Sequence, residues 1–337
     1  MKTAIITGIY GQDGAYLTKH LLEKGYKVIG AERRSASGSP WRLDYLNVTK
    51  EVTFEDFELL ESSTIMKMLE KHRPDEFYNL AAQSFVQSSF EAPVYTGNST
   101  GLGVARILEA LRQISPDTRF YQASSSEMFG KVMEIPQKET TPFYPRSPYA
   151  VAKLYSHWMT INYREAYDQF CCSGILFNHE SPLRGIEFVT KKITSTMVKI
   201  KMKKEDTLEV GNIDAKRDWG FAGDYVDAMH LMLNQKKPDD YVICTGETHT
   251  VKEFIDKTAQ ALEFDLVWEG EGEKTVGVDR KTNKKIVKIN KKFYRPTEVD
   301  ILLGDCSKAK ENLDWKPKCS FDSLIEMMVD ADLKFLS

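Results

Sequence analysis

Short apolar runs alternate with amphipathic segments along the first half of this 337-residue chain. Glycine, proline or polar residues bound each run, a pattern typical of buried strands. The segments between the runs carry apolar residues three and four positions apart, which is typical of helices packed on one face. The predicted strands are 3–7, 27–31, 52–54, 76–80, 119–123 and 171–177, and the predicted helices lie around 16–22 and at 63–72, 100–111 and 149–163. Strands alternating with helices predict an α/β fold, a doubly wound parallel sheet with ligands bound beyond the carboxyl ends of its strands.

The pattern changes after residue 177. Further short strands are predicted at 208–210, 241–244 and 299–303, and helices at 188–202, 225–233 and 251–262. Asp279 to Lys292 is rich in lysine, which favours a solvated surface. We expect a first domain over 1–177, with short later returns near 213–245 and 296–303. Residues 178–337 are expected to form mainly a second, smaller and interleaved α/β domain.

Composition excludes several classes of protein. Hydrophobic residues make up 42% of the chain and charged residues 28%, as in ordinary globular enzymes. A net charge of −3 implies no general attraction to nucleic acid. The sequence has no signal-peptide layout and no apolar run that would span a membrane. Five scattered cysteines without a Cys-x-x-Cys pair predict a reducing, cytoplasmic location. His179-Glu180 lacks a histidine at position 183, where Leu183 stands, so we predict no metal site.

A glycine-rich turn follows the first predicted strand. Gly8, Gly11 and Gly14 are spaced three residues apart and lead directly into an amphipathic helix. A strand, a glycine turn and a helix bring backbone N–H groups to a pyrophosphate at the helix N-terminus. The alternative is a turn whose glycines only permit positive φ. We favour dinucleotide binding, because both flanking elements are present.

The end of the second predicted strand carries Glu32, Arg33 and Arg34. The adenosine ribose of a dinucleotide lies at this point of such a fold. An acidic residue there favours NAD, whereas arginines favour the 2′-phosphate of NADP, so the local pattern is mixed. All three charges could also be solvated. Asp56, beyond the third strand, is placed to accept a hydrogen bond from adenine.

Tyr149 and Lys153 are one helical turn apart on one face of a predicted helix. A lysine ammonium can lower the pKa of a nearby tyrosine, which could then take a proton from a sugar hydroxyl. Alone, this spacing also fits a surface helix with a half-buried tyrosine. Ser125 and Glu127 follow the fifth strand, close to where Tyr149 should arrive, although a serine there is also an ordinary helix cap.

These features occur together and in order, and their combination resembles the extended short-chain dehydrogenase/reductases that act on nucleotide sugars. Longer motifs narrow the resemblance to the GDP-mannose 4,6-dehydratase family within that group. The motifs are Thr7-Gly-Ile-Tyr-Gly-Gln-Asp-Gly14, Tyr121-Gln-Ala-Ser-Ser-Ser-Glu127, Phe177-Asn-His-Glu-Ser-Pro182, Asp214-Ala-Lys-Arg-Asp-Trp-Gly220 and Tyr294-Arg-Pro-Thr-Glu-Val-Asp300. They span nearly the whole chain.

The resemblance implies a Rossmann-type first domain, an NADP cofactor and a set of site residues. The implied catalytic residues are Ser125, Glu127, Tyr149 and Lys153. The implied cofactor-binding residues are Gly8, Gly11, Gln12, Asp13, Gly14, Arg33, Arg34, Asp56, Phe57, Leu80, Ala82, Ser84, Tyr95, Lys153, His179 and Arg184. The implied substrate-binding residues are Ser84, Asn178, Lys192, Arg217, Arg295 and Glu298, which would hold GDP-mannose.

The implied reaction converts GDP-mannose to its 4-keto-6-deoxy product with the cofactor recycled. The alternatives are a related 4-epimerase or 4-keto reductase, and a silent NADP-binding regulator. The chain departs from the family pattern at Tyr10, where a threonine is usual, and at Glu32, an unexpected charge. Ser125 replaces a threonine, and Leu183 replaces one of two adjacent arginines. The family implies a homodimer or homotetramer, and the short loop after Arg34 leaves that choice open.

Overall fold

The computed structural model describes residues 1–34, 39–294, 297, 299 and 301–337. Strands and helices alternate in the first half of the chain, as its hydrophobic pattern predicts. The strands are β1 (Thr3–Thr7), β2 (Lys27–Glu32), β3 (Thr53–Asp56), β4 (Glu76–Asn79), β5 (Arg119–Ser125) and β6 (Cys171–Leu176). The helices are α1 (Gln12–Glu23), α2 (Trp41–Tyr45), α3 (Ser62–His72), α4 (Val86–Glu91), α5 (Pro93–Thr96), α6 (Gly103–Ile114) and α7 (Pro148–Tyr167). A π-helical segment, Gly97–Leu102, joins α5 to α6.

The second half of the chain adds shorter strands and further helices. Its strands are β7 (Asn178–Glu180), β8 (Leu208–Val210), β9 (Lys216–Arg217), β10 (Trp219–Phe221), β11 (Tyr241–Ile243), β12 (His249–Thr250), β13 (Leu266–Glu269), β14 (Val276–Asp279) and β15 (Lys284–Ile289). Its helices are α8 (Val189–Lys201), α9 (Ala222–Leu233), α10 (Val251–Ala261), α11 (Ser307–Leu313) and α12 (Phe321–Leu336).

Among the described residues, seven parallel strands form the main sheet in the order β11-β6-β5-β4-β1-β2-β3. Successive side chains of a strand point to opposite faces, and both faces of this sheet are buried. In β1, Ala4 and Ile6 pack with α1 and α9, whereas Ile5 packs with α3 and α6 on the other face. Helices on both faces confirm the predicted doubly wound fold.

A second core lies between α8, α10 and α12 and a four-stranded sheet in the order β13-β14-β15-β8. The prediction of a solvated surface over 279–292 is therefore wrong in part. Ile286 and Val287 of β15 are buried in this core, while Lys284 and Lys285 are exposed. The lysines dominate the composition of the segment and obscure these two apolar positions.

The predicted strand at 299–303 lies partly outside the described residues. Ile301 forms an isolated bridge with Lys216, and Gly304 forms another with Gln137. Across the described part of the chain, no helix is both long and apolar enough to cross a membrane. All five cysteines are free thiols.

Candidate active site

The turn after β1 depends on glycine at two positions. Gly8 has φ +69°, and a Cβ there would lie 2.9 Å from the backbone nitrogen of Ala81. A Cβ at Gly14 would lie 2.4 Å from the carbonyl oxygen of Gly8. Only glycine allows the chain to turn this tightly and lets α1 approach β1 and β4 this closely. The N-terminus of α1, which begins after Gly11, therefore faces the carboxyl ends of the strands.

A cleft of about 340 Å³ opens at these strand ends. It brings together most of the side chains that the sequence singles out. Its predicted members are Gly8, Gly11, Gln12, Asp13, Gly14, Leu80, Ala82, Ser84, Ser125, Glu127, Tyr149, Lys153, Asn178, His179 and Arg184. A pyrophosphate fits the glycine turn, because free N–H groups of a helix N-terminus favour anions.

The remaining predicted cofactor residues lie at the ends of β2 and β3, except Tyr95 in α5, and none of them lines this cleft. Arg33 and Arg34 are exposed, and Arg33 donates a 3.3 Å hydrogen bond to the hydroxyl of Tyr95. Phe57 is buried, and its backbone N–H donates to the Glu32 carbonyl at 2.8 Å. Asp56 pairs in register with Glu32 across the two strands. These residues surround the position expected for an adenosine. They lie at the β2–β3 edge of the sheet, whereas Ser125 and Glu127 follow β5 on the other side of β1 and β4.

Tyr149 lies in the first turn of α7. The Ser147 side chain caps this helix by accepting from the Ala150 N–H at 3.1 Å, and Pro148 occupies its first position. The Lys153 ammonium lies 5.8 Å from the centre of the Tyr149 ring. Ser125, at the end of β5, accepts a 3.2 Å hydrogen bond from the Glu127 N–H. The four catalytic candidates therefore converge from α7 and from the end of β5.

The electrostatics of this group differ from the prediction that Lys153 lowers the pKa of Tyr149. Burial raises the pKa of Tyr149 to about 12, with a hydrogen bond to Ser125 opposing the rise and the Glu127 charge adding to it. Burial also lowers the pKa of Lys153 to about 8. The lysine ammonium donates to the Ala123 carbonyl at 2.6 Å, so it acts on the tyrosine only at longer range.

His179 and Asp13 form an ion pair in the lining of the cleft. His179 Nε2 lies 2.8 Å from Asp13 Oδ2, and Nδ1 lies 2.7 Å from the Phe177 carbonyl. Both partners can only accept, so both ring nitrogens carry protons and the imidazole is charged. Burial opposes that charge, but Asp13 outweighs it and raises the pKa of His179. Burial likewise opposes the carboxylate, yet His179 lowers the pKa of Asp13.

A second cleft of about 230 Å³ shares Asn178 and Arg184 with the first. Lys192 and Arg217, which the family resemblance implies as substrate-binding residues, also line it. The side-chain oxygen of Asn178 is buried and accepts no hydrogen bond from the described residues. A buried acceptor of this kind suits a ligand donor. Arg295 and Glu298, the other two predicted substrate residues, lie outside the described residues.

Aromatic rings and a backbone carbonyl contact the cations of the second cleft. The Arg184 guanidinium lies 3.6 Å from the Phe188 ring centre, and Lys192 Nζ lies 3.2 Å from that of Phe293. Arg217 donates a 2.7 Å hydrogen bond to the carbonyl of Val299. The neighbouring Asp218 is buried and accepts from Thr245 and Gly246, and burial raises its pKa to about 6.

Arg42 and Glu180 line the clefts and make polar contacts there, but the sequence patterns did not mark either as a site residue. Arg42 lines the first cleft and donates to the carbonyl oxygens of Leu183 and Tyr10 at 2.7 and 2.9 Å. No local pattern marks it, since it follows a loop and belongs to the short helix α2. Glu180 is fully buried, lies 3.0 Å from Arg184 Nε, and has its pKa raised by burial. The polar motif that contains Glu180 draws attention to the segment that forms β7, but it does not reveal the contact with Arg184.

A chain of buried hydrogen bonds joins the glycine turn to Lys153. Thr7 donates to Asn79 at 2.8 Å, Asn79 donates to Gln122 at 2.8 Å, and Gln122 donates to the Ala123 carbonyl at 3.0 Å. The same carbonyl accepts from Lys153. This network of hydrogen bonds fixes the ends of β1, β4 and β5 relative to one another.

In the part of the protein that the structure describes, no cluster of three or more His, Cys, Asp or Glu could hold a metal ion.

Comparison with known proteins identifies close relatives over the whole chain. Residues 5–328 match the family model described as GDP-mannose 4,6 dehydratase. The chain is 52% identical to GDP-mannose 4,6 dehydratase 1 of Arabidopsis thaliana, covering 99% of this chain and 90% of the relative. It is 49% identical to GDP-mannose 4,6 dehydratase of Homo sapiens, covering 99% of this chain and 92% of the relative.

Solved structures with lower identity share the fold. The UDP-glucose 4-epimerase of Thermotoga maritima, solved with UDP-glucose, has a TM-score of 0.84 at 22% identity, covering 99% of this chain and 100% of the other. RMD of Pseudomonas aeruginosa, complexed with NADPH, has a TM-score of 0.77 at 20% identity, covering 99% of this chain and 100% of the other. At these identities the likeness extends to the fold alone.

Proposed function

This chain belongs to the GDP-mannose 4,6-dehydratase family, and from that premise we propose how its own residues convert GDP-mannose to the 4-keto-6-deoxy sugar nucleotide. The observation that carries the proposal is one cleft containing Ser125, Glu127, Tyr149 and Lys153 beside the glycine turn. A bound nicotinamide would supply the hydride chemistry, by accepting the C4 hydride and returning it to C6 of the same sugar.

Tyr149 takes the proton of the C4 hydroxyl as the hydride leaves. Its raised pKa leaves little phenolate at neutral pH, so the positive charge of Lys153 and the Ser125 hydroxyl must stabilise the phenolate that accepts this proton. The resulting ketone acidifies the C5 proton. Glu127 removes that proton and protonates the departing C6 hydroxyl, which leaves as water. The return of hydride to C6 is completed by one proton taken up at C5, which balances the proton released from the C4 hydroxyl.

We propose NADP as the cofactor. Arg33 and Arg34 at the end of β2 support this choice, since guanidinium groups bind phosphate through paired hydrogen bonds. His179, held in its charged form by Asp13, and Arg184 would bind further along the dinucleotide. Asn178, Lys192 and Arg217 would hold the GDP moiety in the second cleft, together with Arg295 and Glu298.

We assign cofactor binding and nucleotide-sugar binding to two parts of the chain, which correspond to the two cores. Residues 1–177, with later returns near 213–245 and 296–303, would bind the cofactor, and 178–337 would mainly bind the nucleotide sugar. The membership of β11 in the main sheet supports the interleaving.

The five free thiols support a reducing, cytoplasmic location.

An exposed apolar face supports a homo-oligomer. Val94 of α5, Leu102 of the π-helical segment, and Val151 and Trp158 of α7 are 83, 46, 55 and 54% exposed. Exposed apolar side chains on adjoining elements mark an interaction surface. We propose that a second copy of the chain covers this face as a dimer, with a tetramer as the alternative. Trp158→Glu should convert the assembly to monomers in light scattering, whereas an unchanged mass would contradict this.

The mechanism is tested by following one hydrogen. GDP-mannose deuterated at C4 should yield product deuterated at C6, without net formation of NADPH. A 4-epimerase or 4-keto reductase would place no deuterium at C6. Deuterium lost to solvent or retained at C4 would contradict the internal transfer. A silent regulator would return the substrate unchanged.

A further inference from the structure

Tyr10 and Glu32 contact each other at the edge of the predicted adenosine site. Tyr10 lies inside the glycine turn and Glu32 is the last residue of β2, yet the tyrosine hydroxyl donates a hydrogen bond to the Glu32 carboxylate. These are two positions at which the chain departs from its family pattern. Their contact shows that the two departures form one unit.

The tyrosine is fixed from both ends. Its ring packs on Phe54 with centres 5.8 Å apart and planes at 38°. Its backbone carbonyl accepts a 2.9 Å hydrogen bond from Arg42. Burial and the Glu32 charge raise the pKa of Tyr10, so its hydroxyl remains a donor at neutral pH. The side chain therefore holds the carboxylate with its proton in place.

Glu32 occupies the place where this fold distinguishes two dinucleotides. A carboxylate at the end of the second strand accepts the ribose 2′-hydroxyl of NAD, whereas a nearby arginine accommodates the 2′-phosphate of NADP. Here both types are present, because Arg33 and Arg34 follow directly. An unrestrained Glu32 would repel the 2′-phosphate and compete with the arginines.

We propose that Tyr10 sets the selectivity for NADP(H) over NAD(H) by holding the Glu32 carboxylate away from the ribose. The hydrogen bond occupies an acceptor that the 2′-hydroxyl of NAD would otherwise use, and it offsets part of the negative charge that the 2′-phosphate would meet. This inference rests on the proposed cofactor cleft and adds to it the pair of residues that discriminates the two cofactors.

The test measures dissociation constants for NADPH and NADH, which differ only in the 2′-phosphate, from the fluorescence of the bound dinucleotide. Tyr10→Phe keeps the ring on Phe54 and removes the hydroxyl. It should reduce the preference for NADPH about tenfold, the usual effect of one hydrogen bond to a charged group. Glu32→Gln should increase the preference for NADPH.

The double variant identifies the mechanism. If Tyr10 acts through Glu32, Tyr10→Phe should leave the preference unchanged once position 32 is glutamine. Tyr45→Phe on the neighbouring α2 is the matched control and should leave both constants unchanged. An unchanged preference in Tyr10→Phe, or an equal effect in both backgrounds, would overturn the inference. A wild-type chain that binds neither dinucleotide would instead refute the proposed cofactor, and this inference with it.

Discussion

The side-chain ammonium of Lys153 lies 2.6 Å from the carbonyl oxygen of Ala123, to which it donates a hydrogen bond. Gln122 donates to the same carbonyl at 3.0 Å and stands at the end of the hydrogen-bonded chain that begins at Thr7. The glycine turn and the catalytic lysine candidate are thereby connected through three strands of the sheet. This connection makes the geometry of the cleft depend on buried amides that would not contact a ligand.

Gln122→Met should destabilise the protein, because it keeps the length of the side chain but leaves the buried Asn79 amide without its acceptor. An unsatisfied buried polar group costs about 1–3 kcal/mol in the free energy of unfolding. Urea denaturation measures this loss. Gln113→Met is the control, since that amide contacts Glu109 on the surface. Equal urea midpoints for the two variants would contradict the role of the chain.

The pH dependence of kcat/KM should show a loss of activity above a pKa of about 8. Burial lowers the pKa of Lys153 to about 8, so its ammonium is lost as the pH rises through that value. The phenolate of Tyr149 then loses the positive charge that favours it. Because kcat/KM reports groups of the free enzyme, its profile over pH 6 to 10 is the appropriate measurement. A profile that stays level to pH 10 would exclude this role of the ammonium.

Glu127→Gln should lower the rate of dehydration by about 10²-fold or more, the usual scale of acid–base catalysis. The amide keeps the size of the side chain and cannot take the C5 proton. Binding of GDP-mannose and of the cofactor, measured by calorimetry, should remain normal. Glu134→Gln, in the loop between β5 and α7 and outside the lining of the cleft, should leave the rate unchanged. Near-normal dehydration by Glu127→Gln would remove this residue from the mechanism.

Arg217→Ala should raise KM for GDP-mannose more than it lowers kcat, because binding that is equal in the ground state and transition state is lost. Lys216→Ala is a close control, since Lys216 precedes Arg217 in β9 but is exposed. Steady-state kinetics of both variants give the comparison. If Arg217 only supports the backbone at Val299, both variants should keep the wild-type KM. The corresponding role of Arg295 stays a prediction.

Local patterns predicted the parts of this molecule that depend on neighbouring residues. The glycine spacing predicted the turn between β1 and α1, since positive φ and close backbone approach are properties of single positions. The four-residue spacing of Tyr149 and Lys153 predicted that both side chains lie on one face of a helix, which is α7. The alternation of strands and helices predicted the doubly wound sheet, because each apolar run is short and bounded.

Contacts between distant segments could not be predicted in this way. Arg42 reaches the cleft from a short helix whose pattern is unremarkable, and Tyr10 meets Glu32 only because β1 and β2 are adjacent. The pKa of Tyr149 follows from burial, which a four-residue spacing does not reveal. The buried positions Ile286 and Val287 of β15 could not be recognised from the composition of a segment rich in lysine.

The strand order of the main sheet has a consequence for how the chain folds as it is made. β6 ends at Leu176, but β11, which pairs with its outer edge, begins only at Tyr241. Residues of β6 therefore leave the ribosome well before β11 has been synthesised. During that interval the nascent sheet has an unpaired edge strand whose residues are all buried in the finished fold. Such an edge pairs readily with other chains. Synthesis that pauses between these two strands should therefore favour aggregation, and a chaperone bound during this interval would protect the edge until β11 closes it.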